Sequence, residues 1–388
     1  MSSRSLNFEF PPARFPASIA DLRDEVREFL SQERSSGALS RPNSVSLLVS
    51  LDFTRKLAEH GWIGMTWARQ YGGHERTALE RYAVTEELLA ACAPVRAHWV
   101  ADRQTAGVLL RFGTEAQKVK YLPMIARGEW YFTPGLSEPD SGSDLASLRA
   151  RAVRVEGGWK ISGTKTWNSN SHVAQYTLIL CRTSPAGEDR HHGLSRFILN
   201  LSSPGVTIRP IINLAGEHDF NELTFDEVFV GDEDVVGEIG KGWSQATIEL
   251  AYERSGPERW MSAFRLLAEL IEALGKTPST SACQQLGQLL AQLLTLRQMS
   301  MSIAVALQDG RTPSLEAAIV KDLGTCFEQE LVRIARDLIH SEGIDIWGSA
   351  RLLGEVLDSA QLWSICYTIR GGTKEIMRGV IARGLGLR

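Results

Sequence analysis

The chain has 388 residues, 43% of them hydrophobic, which is enough for substantial buried cores in one large domain or two to three ordinary ones. Its 42 Lys and Arg against 46 Asp and Glu give a net charge of −4, with no long basic run to concentrate counterion release, which argues against a nucleic-acid partner. Cys92, Cys181, Cys283, Cys326 and Cys366 are widely separated and form no Cys-x-x-Cys pair, so reduced, buried thiols are expected. The segment from Met1 to Phe10 lacks the apolar core of a signal peptide, and no later segment approaches about 20 apolar residues without charge. A cytoplasmic protein with no membrane span is the expectation.

From Ile19 to about Arg127 apolar residues recur at helical spacing, as in Leu22, Val26, Phe29 and Leu30, then Leu48, Leu51, Phe53 and Leu57, then Tyr82, Val84, Leu88 and Leu89. This predicts an all-helical opening domain over residues 1–128. Gly61, Gly64, Gly72 and Gly73 interrupt the pattern in loops, where glycines permit positive φ. Over residues 129–238 the pattern changes to short β-rich runs, Tyr176–Cys181, Arg196–Leu199, Val206–Ile208 and Leu223–Phe225, with a hairpin turn at Glu156-Gly157-Gly158. Their even spacing predicts a compact antiparallel β-domain. Over residues 239–388 the helical period returns, with long segments near 243–273, 282–308 and 314–340, and Pro257 is expected to kink the first. Helices this long predict an antiparallel four-helix bundle, and the whole an α+β protein.

Two segments carry the chemistry. One is Leu136-Ser137-Glu138-Pro139-Asp140-Ser141-Gly142-Ser143-Asp144; the other is Gly163-Thr164-Lys165-Thr166-Trp167-Asn168-Ser169-Asn170. Each alone reads as a Ser/Gly/Pro loop or a core aromatic. Together, in this order inside the β-rich third, they resemble the two flavin-binding segments of the acyl-CoA dehydrogenase family, and the resemblance covers nearly the whole chain. It implies FAD as cofactor. Leu136 and Ser137 would meet the flavin's pyrimidine side, Gly142 and Ser143 would lie near the phosphate and thioester end, Trp167 would pack beside the ring, and Ser169 would donate near N5. Ser143 would also touch the substrate.

Many members of that family place the catalytic glutamate just before a Gly-Thr near the C-terminus. Here Arg370-Gly371-Gly372-Thr373 puts Gly371 in that position, which cannot supply a base. A minority, the isovaleryl- and long-chain-type enzymes, carry it on the first C-terminal helix directly before an arginine, as Glu253-Arg254 stands here. Resemblance therefore implies Glu253 as base, Arg254 as a substrate-side arginine, the Gly371 N–H as a carbonyl donor, and Thr373 as a further cofactor contact. A carboxylate held dry would rise in pKa and serve as a base. On periodicity alone Glu253 is one of several acids on a helix face.

The implied reaction is α,β-dehydrogenation of an acyl-CoA thioester, with electrons passed to an electron-transfer flavoprotein. Gly371 in place of a glutamate widens the acyl pocket, which favours a branched, cyclic or bulky chain. The family's two motifs that serve a neighbouring subunit's FAD are both altered, at Leu274–Ser279 and at Asp337–Gly343. That leaves a homo-oligomer or an α2β2 assembly with a second dehydrogenase-like chain. A flavin monooxygenase of the same fold, a flavin-poor partner subunit, and a carrier-protein thioester stand as alternatives. His172, His191 and His192 have no ligand-like spacing, and no metal site is expected.

Overall fold

A computed structural model describes residues 8–39, 45 and 48–387; the side chains of residues 250–253 lie outside the described set, as do residues 1–7 of the opening segment. The elements run α1 (Ile19–Ser35), α2 (Leu51–Glu59), α3 (Ala78–Ala90) and α4 (Arg96–Trp99), the last continuing through a π-helical stretch (Val100–Thr105) into α5 (Ala106–Phe112), then α6 (Glu115–Ala126). Eight strands follow: β1 (Phe132–Gly135), β2 (Arg151–Val155), β3 (Gly158–Ser169), β4 (Tyr176–Arg182), β5 (Leu194–Asn200), β6 (Val206–Ile212), β7 (His218–Gly231) and β8 (Val235–Val236). The rest is α7 (Gly242–Glu253), α8 (Phe264–Leu274), α9 (Thr280–Gln308), α10 (Ser314–Ser341), α11 (Arg351–Tyr367) and α12 (Lys374–Gly384). The chain divides into two compact units, one of Met1–Leu47, Thr77–Ala93 and Glu253–Arg388, the other of Leu48–Arg76 and Pro94–Tyr252.

In the second unit the sheet order is β6-β7-β3-β2-β4-β5-β8, with β1 added against β4. Side chains alternate across it. Leu178 and Ile198 join a core with Trp67, Tyr121, Leu122 and Phe132, while Ile179 and Phe197, one residue away on the same strands, join Trp159, Ile161, Leu223 and Phe225. Each fully buried leucine or isoleucine contributes about 1.5–3 kcal/mol. Glu156 and Gly157, the latter at φ 72°, close the β2–β3 hairpin as the sequence predicts. The antiparallel expectation needs one amendment: β4 pairs in parallel with β1 and, at Arg151↔Arg182, with β2. The β2–β3 hairpin lies between β1 and β4 in the chain, and an excursion of that length lets the two strands run the same way.

The first unit gathers α1 and α3 with α8 to α12. α1 buries Ile19, Leu22, Val26, Phe29 and Leu30, four of them the predicted stripe. On α3, capped by the Thr77–Glu80 box, Glu86 and Glu87 are buried. Arg23 and Arg27 of α1 reach Glu87 at 2.6 and 2.9 Å, and Arg297 of α9 reaches Glu86 at 2.7 Å, so neither of these two carboxylates is left buried and alone. The expected kink at Pro257 is a break: α7 ends at Glu253, a 3-10 turn spans Pro257–Arg259, and α8 begins at Phe264. Gly256 and Pro257 together remove too much helical preference for one helix to run through. By length and composition α9 could cross a membrane, since Arg297 is its only charge; it packs against α3 and α10, with 44% of its most apolar stretch buried. Cys181 is buried as expected, whereas Cys283 is exposed on α9.

Candidate active site

The sheet unit assembles the two motif segments into one surface. β1 delivers the chain into the 136–144 turn. The second half of β3 runs beside it, so that the Thr166 N–H donates to the Ser137 carbonyl at 2.9 Å and the Asn168 amide to the Pro134 carbonyl at 2.6 Å. The turn closes on itself through reciprocal backbone bonds between Glu138 and Ser141 at 2.8 and 3.1 Å, with Pro139 and Asp140 at its tip.

Beneath it lies an ion pair that sequence reasoning missed. The Lys165 ammonium donates to Glu138 Oε1 at 2.8 Å and to the Leu136 carbonyl at 3.0 Å, and its side chain has no exposed surface. The Glu138 carboxylate also accepts from the Arg149 and Ala150 N–H groups at 2.6 and 2.9 Å. Burial pulls the Lys165 pKa below its usual value, opposed by Cys181 and Glu138, while the same burial pushes the Cys181 thiol up to about 12. Part of the signal was available: Lys165 is the one charge in its motif, and a charge that cannot reach water needs a partner, but the other motif offers three acids, Glu138, Asp140 and Asp144, and only the fold selects Glu138.

The predicted wall residues sit on the outside of this frame. Gly142 and Ser143 are exposed, and a Cβ at Gly142 would meet nothing within 4 Å. Trp167 is 58% exposed, which removes the core-aromatic reading. It stands in a β-bulge of β3 at φ 59°, edge-on to Phe220 at 5.9 Å. A bulky residue in the left-handed region is uncommon and costs on the order of 1–3 kcal/mol, a cost that clusters at functional sites. Among the described residues, the hydroxyls of Ser137, Ser143 and Ser169 and the N–H of Ser137 have no protein partner. Free donors, room at Gly142 and an exposed aromatic fit a flat group rich in acceptor oxygens.

The bundle unit holds the other predicted residues. Gly371 and Gly372 stand at φ 68° and 100° between α11 and α12, a backbone other residues adopt only with strain. The Gly371 N–H has no protein acceptor among the described residues, and its carbonyl accepts from Arg254 Nε at 2.9 Å. Thr373 caps α12 by accepting from the Ile376 N–H at 3.3 Å. Arg370 Nη2 reaches Ser262 Oγ at 2.5 Å, buried Glu328 at 3.0 Å and the Glu258 carbonyl at 3.3 Å. Lys321 and Thr325 donate to the Tyr367 carbonyl at 3.3 and 3.2 Å. Burial, then the Arg259 and Arg370 charges, pull Lys321 down to about 8. Arg254 and Gly371, predicted separately, are therefore in contact, whereas Glu253 ends α7 with its side chain outside the described set.

The two altered segments also meet. Ser279, which caps α9, donates from Oγ and N to the Glu342 carboxylate at 2.6 and 3.1 Å, and those bonds hold Glu342 below the usual carboxylate range. His172 stacks on His218 with ring centroids 4.1 Å apart, and His191 on Trp243 at 4.2 Å. Among the described residues, no group of three His, Cys, Asp or Glu is placed to hold a metal.

Three family profiles match the chain: acyl-CoA dehydrogenase N-terminal domain over residues 17–129, middle domain over 133–228 and C-terminal domain over 240–386. The acyl-CoA dehydrogenase IpdE1 of Mycobacterium tuberculosis is 33% identical over 344 residues, covering 86% of this chain and 87% of the relative. The acyl-CoA dehydrogenase FadE34 of the same organism is 33% identical over 333 residues; the match covers 85% of this chain but only 45% of FadE34. Among solved structures, the ChsE4-ChsE5 complex from Mycobacterium tuberculosis superposes with a TM-score of 0.83 at 27% identity, over 97% of this chain and 99% of the matched one.

Proposed function

This chain belongs to the acyl-CoA dehydrogenase family of FAD-dependent oxidoreductases, and on that premise we propose that it oxidises a branched, cyclic or otherwise bulky acyl-CoA thioester to the trans-2-enoyl-CoA in the cytoplasm. FAD, when bound, supplies the hydride acceptor. Leu136, Ser137, Gly142, Ser143, Trp167 and Ser169 would hold it, and Thr373 is the further cofactor contact that the resemblance implies. Glu253 removes the α-proton, the Gly371 N–H donates to the thioester oxygen, and Ser143 and Arg254 orient the substrate. Because Arg254 is engaged with the Gly371 carbonyl, its part in orientation runs through the turn as well as through the substrate. The domain limits 1–128, 129–238 and 239–388 belong to the same reading. Electrons then leave to an electron-transfer flavoprotein.

The observation that carries this reading is the set of unpartnered donors around the exposed, left-handed Trp167, in the two segments that carry the family resemblance. A second observation bears on assembly. The ionised Glu342, held by Ser279, occupies the altered segments where resemblance implies contacts to a neighbour's FAD pyrophosphate, and a carboxylate repels phosphate. We therefore favour an α2β2 assembly with a second dehydrogenase-like chain; the ChsE4-ChsE5 structure is a complex of two differently named chains.

The test is the visible spectrum of the chain expressed alone, before and after anaerobic addition of straight, branched and steroid-like acyl-CoA thioesters. Bound flavin that bleaches with bulky thioesters supports the reading, and preference for unbranched medium chains counts against the bulky pocket. A colourless preparation that acquires flavin only with a second chain supports the mixed assembly. Flavin that no thioester bleaches favours monooxygenase chemistry or an acyl carrier-protein substrate.

A further inference from the structure

A buried ion pair is a weak source of stability, because well-packed apolar residues of similar volume often do as well or better. The Glu138–Lys165 pair therefore needs another account, and its third member supplies one. Lys165 also donates to the Leu136 carbonyl, which belongs to the same peptide group as the Ser137 N–H, the donor that no protein acceptor uses. Amide resonance couples the two ends of a peptide, so a cation on the oxygen draws electron density away from the N–H and makes it a stronger donor. Glu138 cannot swing away to release the lysine, since both its oxygens are occupied by the Arg149 and Ala150 N–H groups as well. The next carbonyl, that of Ser137, is fixed by Thr166. The peptide is thus held from both sides with one donor unspent.

We propose that Lys165 is a positioning residue for the cofactor: anchored by Glu138, its ammonium fixes and polarises the Leu136–Ser137 peptide, so that the Ser137 N–H binds an electron-rich oxygen or nitrogen on the flavin and binds the reduced, more negative flavin more strongly. This rests on the reading above that the 136–144 turn meets FAD.

FAD affinity of the apoprotein, titrated up to millimolar FAD, and the midpoint potential of the bound flavin are compared for wild type, Lys165→Met and the double variant Glu138→Gln/Lys165→Met. Lys165→Met is expected to weaken FAD binding by about ten- to a hundredfold, the effect of losing a hydrogen bond that involves a charge, and to lower the midpoint potential. The double variant, which leaves no unpaired buried charge, recovers thermal stability without recovering affinity or potential. Wild-type affinity and potential in the double variant would overturn the proposal. Amide exchange in the wild type provides a test that needs no variant: FAD should slow exchange at Ser137, and FAD that binds without doing so also overturns it. A wild-type chain with no measurable affinity at all overturns the flavin reading first, and this inference with it.

Discussion

In the sheet unit a lysine with no exposed surface holds the Leu136–Asp144 turn; in the bundle unit a partly exposed arginine holds the turn from Tyr367 to Thr373. Lys165 is a point charge shared between one carboxylate and one carbonyl. Arg370 reaches a carboxylate, a hydroxyl and a carbonyl through one guanidinium nitrogen, Nη2, and a second arginine, Arg254, holds the Gly371 carbonyl. The cations also sit differently with respect to the free donors. Lys165 touches the peptide that carries the unpartnered Ser137 N–H, whereas Arg254 touches the peptide after the one that carries the Gly371 N–H. The first arrangement tunes a donor as well as placing it, and the second only places it. A compact ammonium suits the former, and a planar fork that binds several acceptors in fixed geometry suits the latter.

If the two regions divide the work in this way, changes around the bundle turn, Thr373 apart, should spare FAD affinity. The largest effect is expected from Glu253→Gln: FAD binding unchanged, and reduction by acyl-CoA slowed by about 10²–10⁴-fold in anaerobic stopped-flow. Near-normal reduction would remove Glu253 from its role. Glu328→Gln takes the charge from the partner of Arg370 and should cost roughly 3 kcal/mol in chemical denaturation. FAD affinity that fell alongside stability would break the comparison.

A smaller effect follows from Lys321. Its folded pKa, about 8, lies below the unfolded value, so between about pH 8 and 10.5 the unfolded chain keeps a proton that the folded one has lost. Folding stability should therefore rise across that window, by at most about 3 kcal/mol, and Lys321→Met should flatten the rise in urea titrations. The cost of burying the charge is fully present below pH 8. Smallest is Trp167→Asn: asparagine tolerates the left-handed region, so stability should stay within about 1 kcal/mol of wild type while FAD affinity falls. Unchanged affinity would take Trp167 out of the wall.

Much of this was legible in the sequence because it is local. The stripe Leu22, Val26, Phe29 and Leu30 is a periodicity, and the Glu156-Gly157 hairpin is a matter of turn chemistry. The two motif segments could be placed on one surface because only a strand-loop-strand unit separates them. The pairing of Glu138 with Lys165, and of Arg370 with Glu328, was not legible. Charges 27 and 42 residues apart carry no periodic signal, and only the fold decides which meet. A kink and not a break is the expectation at Pro257 because the helical pattern spans about 243–273 on both sides of it, and sequence alone does not report how many residues a Gly-Pro pair removes from a helix.

The order in which the chain folds is constrained by Glu138 and Lys165. Neither charge is cheaply removed from water before the other arrives, and they arrive together only once the β2–β3 hairpin has closed the loop between them. A nascent chain interrupted before Lys165 is made would carry Glu138 solvated and its turn unformed. Competence to take up the cofactor should therefore appear late in refolding, in a single kinetic phase shared with docking of the hairpin.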